Sequence, residues 1–214
     1  IEKIDPVARL VQCGAGVILQ NLHEAVAAQD MRFPLTLGGK GSATIGGLVS
    51  TNAGGTQVLR HGTMRALVAG LQAVMPDGSI FDGLTPLKKD NRGYDLKHLL
   101  IGAEGTIGII TKATLHLVPA LIERSVAWVA VDSPTAAYQL LLAANDAFPS
   151  MLEGFEILPD TALRHVLKHI PGTRDPLGSQ YAWHIVMELA KDSADQDPPS
   201  HAAEQFLGKM LEKG

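Results

Sequence analysis

Between Leu37 and Thr56 the chain reads LGGKGSATIGGLVSTNAGGT, and seven of these twenty residues are glycine. Glycine gives up more backbone freedom on folding than any other residue, so a run this dense is costly unless its bare main chain is used. Small polar side chains fill the gaps: Ser42, Thr44, Ser50, Thr51 and Asn52. Ile45, Leu48 and Val49 form the one apolar patch large enough to hold the segment on a core. A flexible linker would lack that patch and the closely paired glycines. The composition therefore points to backbone N–H groups that approach a phosphate or pyrophosphate closely.

The common nucleotide fingerprints do not fit. Gly14 and Gly16, like Gly39 and Gly41, lack the third glycine of G-x-G-x-x-G, and Lys40 is followed by Gly41 rather than Ser or Thr. A doubly wound dinucleotide fold and a P-loop NTPase are both disfavoured. Neither a G-x-S-x-G elbow nor an H-E-x-x-H pair occurs, which removes the simplest support for two hydrolase classes. A second glycine cluster, GAEGTIG at 102–108, leads into the strand-like Ile109-Ile110-Thr111. Two glycine-rich loops, each beside a short apolar segment, suit a long ligand with separated polar parts, such as FAD.

Three stretches carry a specific resemblance: TIGGLVSTNAGG at 44–55, PDGSIFD at 76–82 and LKKDNRGYDLKHLLIGAEGTIGIIT at 87–111. In this order they resemble the FAD-linked oxidases of the vanillyl-alcohol oxidase type, with a PCMH-type FAD-binding domain. The nearest branch oxidises D-2-hydroxy acids, its members acting on 2-hydroxyglutarate, lactate or glycolate. The similarity is dense from about Val11 to Pro119 and thinner, but in register, to the end.

The resemblance implies an α+β fold. Residues 1–119 would be the second half of a two-subdomain FAD-binding domain, a mixed or antiparallel sheet with helices whose N-terminal subdomain is missing. Residues 120–214 would be part of a ferredoxin-like α+β cap that serves the substrate. It further implies that Ser42, Thr44, Ile45, Gly46 and Gly47 lie along the FAD pyrophosphate. Thr51, Asn52, Gly54 and Gly55 would lie toward the ribityl chain and isoalloxazine, and Glu104, Gly105, Ile109 and Ile110 would meet the ribose and adenine. The implied reaction oxidises a small D-2-hydroxy acid to the 2-oxo acid by hydride transfer to the flavin. The electron acceptor would be a quinone, an electron-transfer flavoprotein or oxygen, and a homodimer is admissible. The family's base and metal ligands come from a histidine-rich segment beyond Gly214, so no catalytic residue and no metal site is assigned. A second reading makes the chain a catalytically incomplete fragment that acts at most as an FAD-binding module. A third, a phosphate-binding NTPase domain, is weakened by the missing Walker pattern.

At 214 residues the chain can bury one good core or two modest ones. A net charge of −4, with 46% hydrophobic and 19% charged residues, gives no footprint for nucleic acid. No apolar run reaches membrane-spanning length and no signal-peptide pattern opens the chain. The single cysteine, Cys13, reads as a small buried strand residue and is compatible with a reducing compartment. The expected location is cytoplasmic, or the mitochondrial matrix for a eukaryotic protein. Ile1 falls within a strand pattern and the last helix pattern stops at Gly214, which reads as a piece of a longer protein.

Local patterns predict strands at 1–4 and 9–13, an amphipathic helix over 17–29 and a short helix over 44–50 with free N–H groups at its start. A hairpin is expected from 67–75 through Pro76–Ser79 into Ile80 and Phe81, then a charged loop of Lys88, Lys89, Asp90 and Arg92. Asp95 is expected to cap a helix ending at Leu100, before a half-buried strand over 107–118. A boundary at Pro119-Ala120 precedes strand 123–131, helix 135–147 capped by Ser133, strand 151–158, helix 160–169, strand 181–189 and helix 202–211. The last group should form an antiparallel sheet with helices on one face. His23, His61 and the pair His165 and His169 read as hydrogen-bonded or exposed histidines. A flavin-linked His61, standing where the family has tyrosine, or a metal-binding pair is the weaker alternative.

Overall fold

A computed structural model describes residues 1–85, 87, 89–91 and 93–213. The chain divides into two compact units, Ile1–Ala120 and Leu121–Gly214.

In the first unit the elements run β1 (Lys3–Asp5), β2 (Leu10–Gly14), α1 (Leu19–Ala27), β3 (Met31–Arg32), α2 (Ile45–Ser50), α3 (Val58–His61) and α4 (Met64–Leu67). Then come β4 (Val68–Val74), β5 (Ile80–Gly83), α5 (Lys97–Leu100), β6 (Ile109–His116) and β7 (Val118–Pro119). Five strands make an antiparallel sheet in the order β1-β2-β6-β4-β5. The helical stripe Leu19, Leu22 and Val26 is fully buried, as are Val11, Cys13, Leu71, Ala73, Ala113 and Leu115 from the sheet. Ile45, Leu48 and Val49 join this core with at most 6% exposure. Burying three such side chains contributes about 1.5–3 kcal/mol each, which offsets much of the ordering entropy of the glycines around them.

Two details depart from the sequence reading. The strand expected over 107–118 splits: β6 ends at His116, and Val118–Pro119 pairs with Met31–Arg32 in a separate two-stranded ladder. Pro119 has no N–H to give, so an edge ladder suits it better than the main sheet. Asp95 does not cap α5, whose N-cap is Leu96 with no side-chain bond. Its carboxylate instead pairs with Lys97 Nζ and with His98 Nε2 at 3.3 Å, since a charge-assisted bond to the lysine competes better for it than backbone amides do. Lys89 and Asp90 are exposed, whereas Lys88 and Arg92 of the expected charged loop lie outside the described residues.

The second unit runs β8 (Glu123–Val131), α6 (Pro134–Ala147), β9 (Leu152–Pro159), α7 (Asp160–His169), β10 (Trp183–Lys191) and α8 (Pro199–Lys213). Its antiparallel sheet has the order β8-β10-β9. Ser133 Oγ accepts the Ala136 N–H at 3.1 Å and starts α6, with Pro134 following at the position where a missing N–H costs nothing. Ala137, Leu140 and Ala144 of α6 and Ala203 and Phe206 of α8 share one core with Ile185, Met187 and Leu189 of β10. His184 has the opposite parity on β10, so α7 starts on the other face, where Asp160 meets it, which corrects the expectation of helices on one face only. His184 is fully buried; it accepts the Trp128 Nε1–H at Nδ1 (3.1 Å) and donates from Nε2 to Asp160 Oδ1 (3.1 Å). Indole nitrogen only donates, so these partners fix a neutral Nε2–H tautomer.

Candidate functional site: the loops around α2

Helix α2 is the hub of the glycine-rich segment. Thr44 caps it, its Oγ1 accepting the Gly47 N–H at 3.2 Å. The Gly46 N–H donates to Ala15 O at 2.8 Å and the Ile45 N–H to Val17 O at 2.9 Å. The expectation of free N–H groups at this helix start is therefore corrected: Ile45, Gly46 and Gly47 are all paired within the protein. The need for glycine at 46 is also different. A Cβ there would stand 2.6 Å from Ala15 Cβ, so the residue lets α2 press against the turn between β2 and α1. Gly55 serves a similar close approach, since its Cβ would lie 2.4 Å from Thr36 O.

Unpaired main chain lies on either side of the helix. Among the described residues Gly38, Gly39, Gly41, Gly54 and Gly55 have N–H groups with no recorded partner. Added Cβ atoms at Gly38 and Gly41 would meet nothing within 4 Å. These are bare donors of the kind that suits phosphate or carbonyl oxygens, exposed at all of these positions but the half-buried Gly55. The nearby hydroxyls are engaged locally: Ser42 Oγ with Gly39 O at 3.4 Å and Thr51 Oγ1 with Gly47 O at 2.9 Å.

The second glycine cluster is stitched to the far end of α2. Gly102 N–H donates to Val49 O at 3.1 Å and Glu104 N–H to Ser50 O at 2.9 Å. Glu104 and Gly105 are exposed, and Glu104 has φ +50°. Ile109 and Ile110 follow at the start of β6, paired with β4. The pairing of β2 stops at Lys112, so on that side of β6 no strand among the described residues covers Ile109 and Ile110. Thus the fold gathers Thr51 to Gly55, Glu104, Gly105 and the Ile109-Ile110 backbone about one helix. Ser42, Thr44 and Gly47 ring its start, and Ile45 and Gly46 are buried in it.

Two residues that sequence reading passed over hold this assembly. Arg65 donates from Nη1 to His98 O at 2.6 Å and from Nη2 to Ile101 O at 2.5 Å, and its own N–H donates to Asn52 Oδ1 at 2.9 Å. Gln57, 9% exposed, accepts the Thr36 N–H at 2.7 Å. Arg65 had a visible signal, as the sole charged residue between Arg60 and Asp77. A lone cation in an apolar stretch needs partners, yet these are carbonyls more than thirty residues away.

Two recesses of this unit lie elsewhere. One of about 500 Å³ is lined by Gly62, Thr63, Arg65, Ala66, Lys97 and His98, and one of about 170 Å³ involves Phe81, Thr85, Asp90, Tyr94 and Leu96. Neither includes Gly46 or Gly47. Of the histidines, His23 Nε2 donates to Leu35 O at 3.0 Å, and burial lowers its pKa. His61 Nε2 accepts from Arg32 Nη2 at 3.3 Å. The rings of His165 and His169 stack 6.0 Å apart. Among the described residues no three His, Cys, Asp or Glu side chains group as metal ligands, and no helix is long and apolar enough to cross a membrane.

Residues 1–83 match the family described as "FAD binding domain". The chain is 40% identical over 214 residues to the mitochondrial D-2-hydroxyglutarate dehydrogenase of Arabidopsis thaliana, covering 100% of this chain and 38% of that protein. It is 31% identical over 197 residues to the D-2-hydroxyglutarate–pyruvate transhydrogenase of Saccharomyces cerevisiae, covering 92% of this chain and 40% of the relative. The fold also resembles that of alkyldihydroxyacetonephosphate synthase, with a TM-score of 0.72 at 14% identity over 99% of this chain and 40% of that one. The chain thus spans about two fifths of the length of the relatives it matches. By sequence the chain is similar along its length to D-2-hydroxyglutarate dehydrogenases, and its residues 1–83 match the FAD binding domain family.

Proposed function

We propose that this chain supplies part of the FAD site and part of the substrate-side domain of an enzyme that oxidises a D-2-hydroxy acid to the 2-oxo acid. The observation that carries the reading is the alignment of all 214 residues with a D-2-hydroxyglutarate dehydrogenase at 40% identity. The local chemistry fits the cofactor. N–H groups without recorded partners at the exposed Gly54 and the half-buried Gly55 follow Asn52, and the loop at 102–105 is stitched to the end of the same helix at Val49 and Ser50. Bare donors of this kind match the oxygen-rich diphosphate and the carbonyl edge of FAD.

In this reading Thr51, Asn52, Gly54 and Gly55 contact the flavin and ribityl portion, while Glu104, Gly105 and the open edge at Ile109 and Ile110 take the ribose and adenine. Ser42, Thr44 and Gly47 lie beside the diphosphate, and Ile45 and Gly46 shape the loop from within. Bound FAD would accept the hydride from the carbinol carbon. This chain's residues bind and orient it, and the base that takes the hydroxyl proton lies outside them. The names of the relatives favour 2-hydroxyglutarate among the substrates and the mitochondrion over the cytoplasm. A quinone or an electron-transfer flavoprotein remains the proposed electron acceptor.

The test is anaerobic addition of D-2-hydroxyglutarate, D-lactate and glycolate to the full-length protein. Bleaching of the flavin absorbance by at least one of them is expected, and a colourless protein that takes up no FAD overturns the reading. Residues 1–214 alone, given FAD and a dye acceptor, should show no turnover. Turnover there would refute the view that catalysis needs further chain.

A further inference from the structure

We propose that Asn52 is a dedicated hydrogen-bond donor to an acceptor atom of the cofactor, and that Arg65 is the positioning residue that holds it in that role. The inference rests on the FAD reading above and adds a direction to one of its contacts.

Asn52 has φ +50°, in the left-handed region that asparagine tolerates better than other side-chain-bearing residues. Its Oδ1 accepts the Arg65 N–H at 2.9 Å. A backbone N–H can only donate, so the carboxamide must turn its oxygen inward, and Nδ2 with its two hydrogens points away. Nδ2 has no partner among the described residues, and Asn52 is half-buried, within reach of a ligand. The Gly54 and Gly55 N–H groups, also without recorded partners, follow directly. On its free side the Asn52 carboxamide therefore offers donors only, which suits an electron-rich acceptor atom and not a hydroxyl proton.

The lock is stiff because Arg65 is itself clamped. Its guanidinium spans His98 O and Ile101 O at 2.6 and 2.5 Å, a planar fork that lysine cannot reproduce. Gly102, at φ +81°, fills the joint, with its Cβ position 3.2 Å from Asn52 Cβ and 3.3 Å from Arg65 Nη2. The same clamp ties the segment before the second glycine cluster to Asn52. Two acceptor sources share this chemistry: the pyrimidine carbonyl edge of the flavin and the diphosphate oxygens.

The experiment uses the full-length protein, stripped of FAD and titrated with it by flavin fluorescence, alongside the flavin midpoint potential and the thermal midpoint of the apoprotein. Asn52→Asp keeps an oxygen for the Arg65 N–H and replaces the donors. It should leave the apoprotein's thermal midpoint unchanged and raise the FAD Kd roughly tenfold or more. A midpoint potential moved to more negative values then assigns the acceptor to the carbonyl edge; an unchanged potential with the same loss of affinity assigns it to the diphosphate. Arg65→Lys should weaken FAD binding in the wild-type background and add little in the Asn52→Asp background. If Asn52→Asp does not fold, Asn52→Gly, which adopts φ +50° freely, replaces it with the same expectation for affinity. Wild-type affinity and potential in these variants would overturn the proposal while leaving FAD binding intact. Failure of the wild-type protein to bind FAD would instead overturn the cofactor reading beneath it.

Discussion

Gly46→Ala is the sharpest perturbation of the α2 hub. The added methyl would sit 2.6 Å from Ala15 Cβ, 3.2 Å from Ala15 O and 3.3 Å from Ala15 Cα. Carbon atoms rest about 3.5–4.0 Å apart, so the two segments must separate by about 1 Å. They are joined where the methyl enters, by Gly46 N–H to Ala15 O, Ile45 N–H to Val17 O and Leu19 N–H to Ala43 O at 2.8–2.9 Å. A shift of that size breaks the first of these bonds, costing about 1 kcal/mol, and overpacking adds about 1–3 kcal/mol. Alanine's better helix propensity returns about 1 kcal/mol. The net destabilisation is about 2 kcal/mol, which for a unit of this size lowers the melting temperature by roughly 5–10 °C. Gly47→Ala is the internal control: its methyl meets only Thr44 Oγ1, at 3.1 Å on an exposed face. Propensity gained there is set against a disturbed cap, so the net effect stays within about 1 kcal/mol. Melting of residues 1–214 by circular dichroism measures both. Equal losses in the two variants, or a Gly46→Ala protein as stable as wild type, would refute the close-approach argument.

Burial pushes the Cys13 thiol up to about 11, so it should resist a thiol reagent at pH 8 and react fully only in denaturant; rapid native labelling would show the strand to be open. Nitrogen-15 shifts of His184 should report a neutral Nε2–H tautomer, and Trp128→Phe should cost about 1–2 kcal/mol by stranding Nδ1; an Nδ1–H tautomer would contradict the geometry. The Arg164 guanidinium, helped by His184 and Gln180 and opposed by burial, holds the Asp160 carboxyl below its usual value. A carboxylate lowered on folding stabilises the protein fully above the ordinary value near 4 and loses that contribution as pH falls through the lowered value. Asp160→Asn should therefore flatten the acid limb of the stability profile below about pH 4, and a limb parallel to wild type would count against the network.

Much of this architecture is legible in residue order. The stripe of Leu19, Leu22 and Val26 and the Ser133 cap of α6 are local patterns, set by neighbours within one or two helical turns. They emerge from periodicity and capping chemistry alone. The glycine-rich motifs, too, declare a nucleotide-binding lineage by their order along the chain. Contacts between distant segments are another matter. Nothing local distinguishes Gly46, spent on packing against Ala15, from Gly54, whose N–H stays open.

What the sequence determined by itself was most of the longer helices and strands, and that the first unit is built around bare main chain; β3, α3, α4 and the split of β7 from β6 were not legible in it. Only the tertiary structure decided which of those amides are already satisfied and which way the Asn52 amide turns. It also joined Arg65 to the His98 and Ile101 carbonyls. The reason is physical: a hydrogen-bonding group is committed by whatever lies within about 3 Å of it in space, and for Ala15 with Gly46, or Arg65 with Ile101, that neighbour comes from far along the chain.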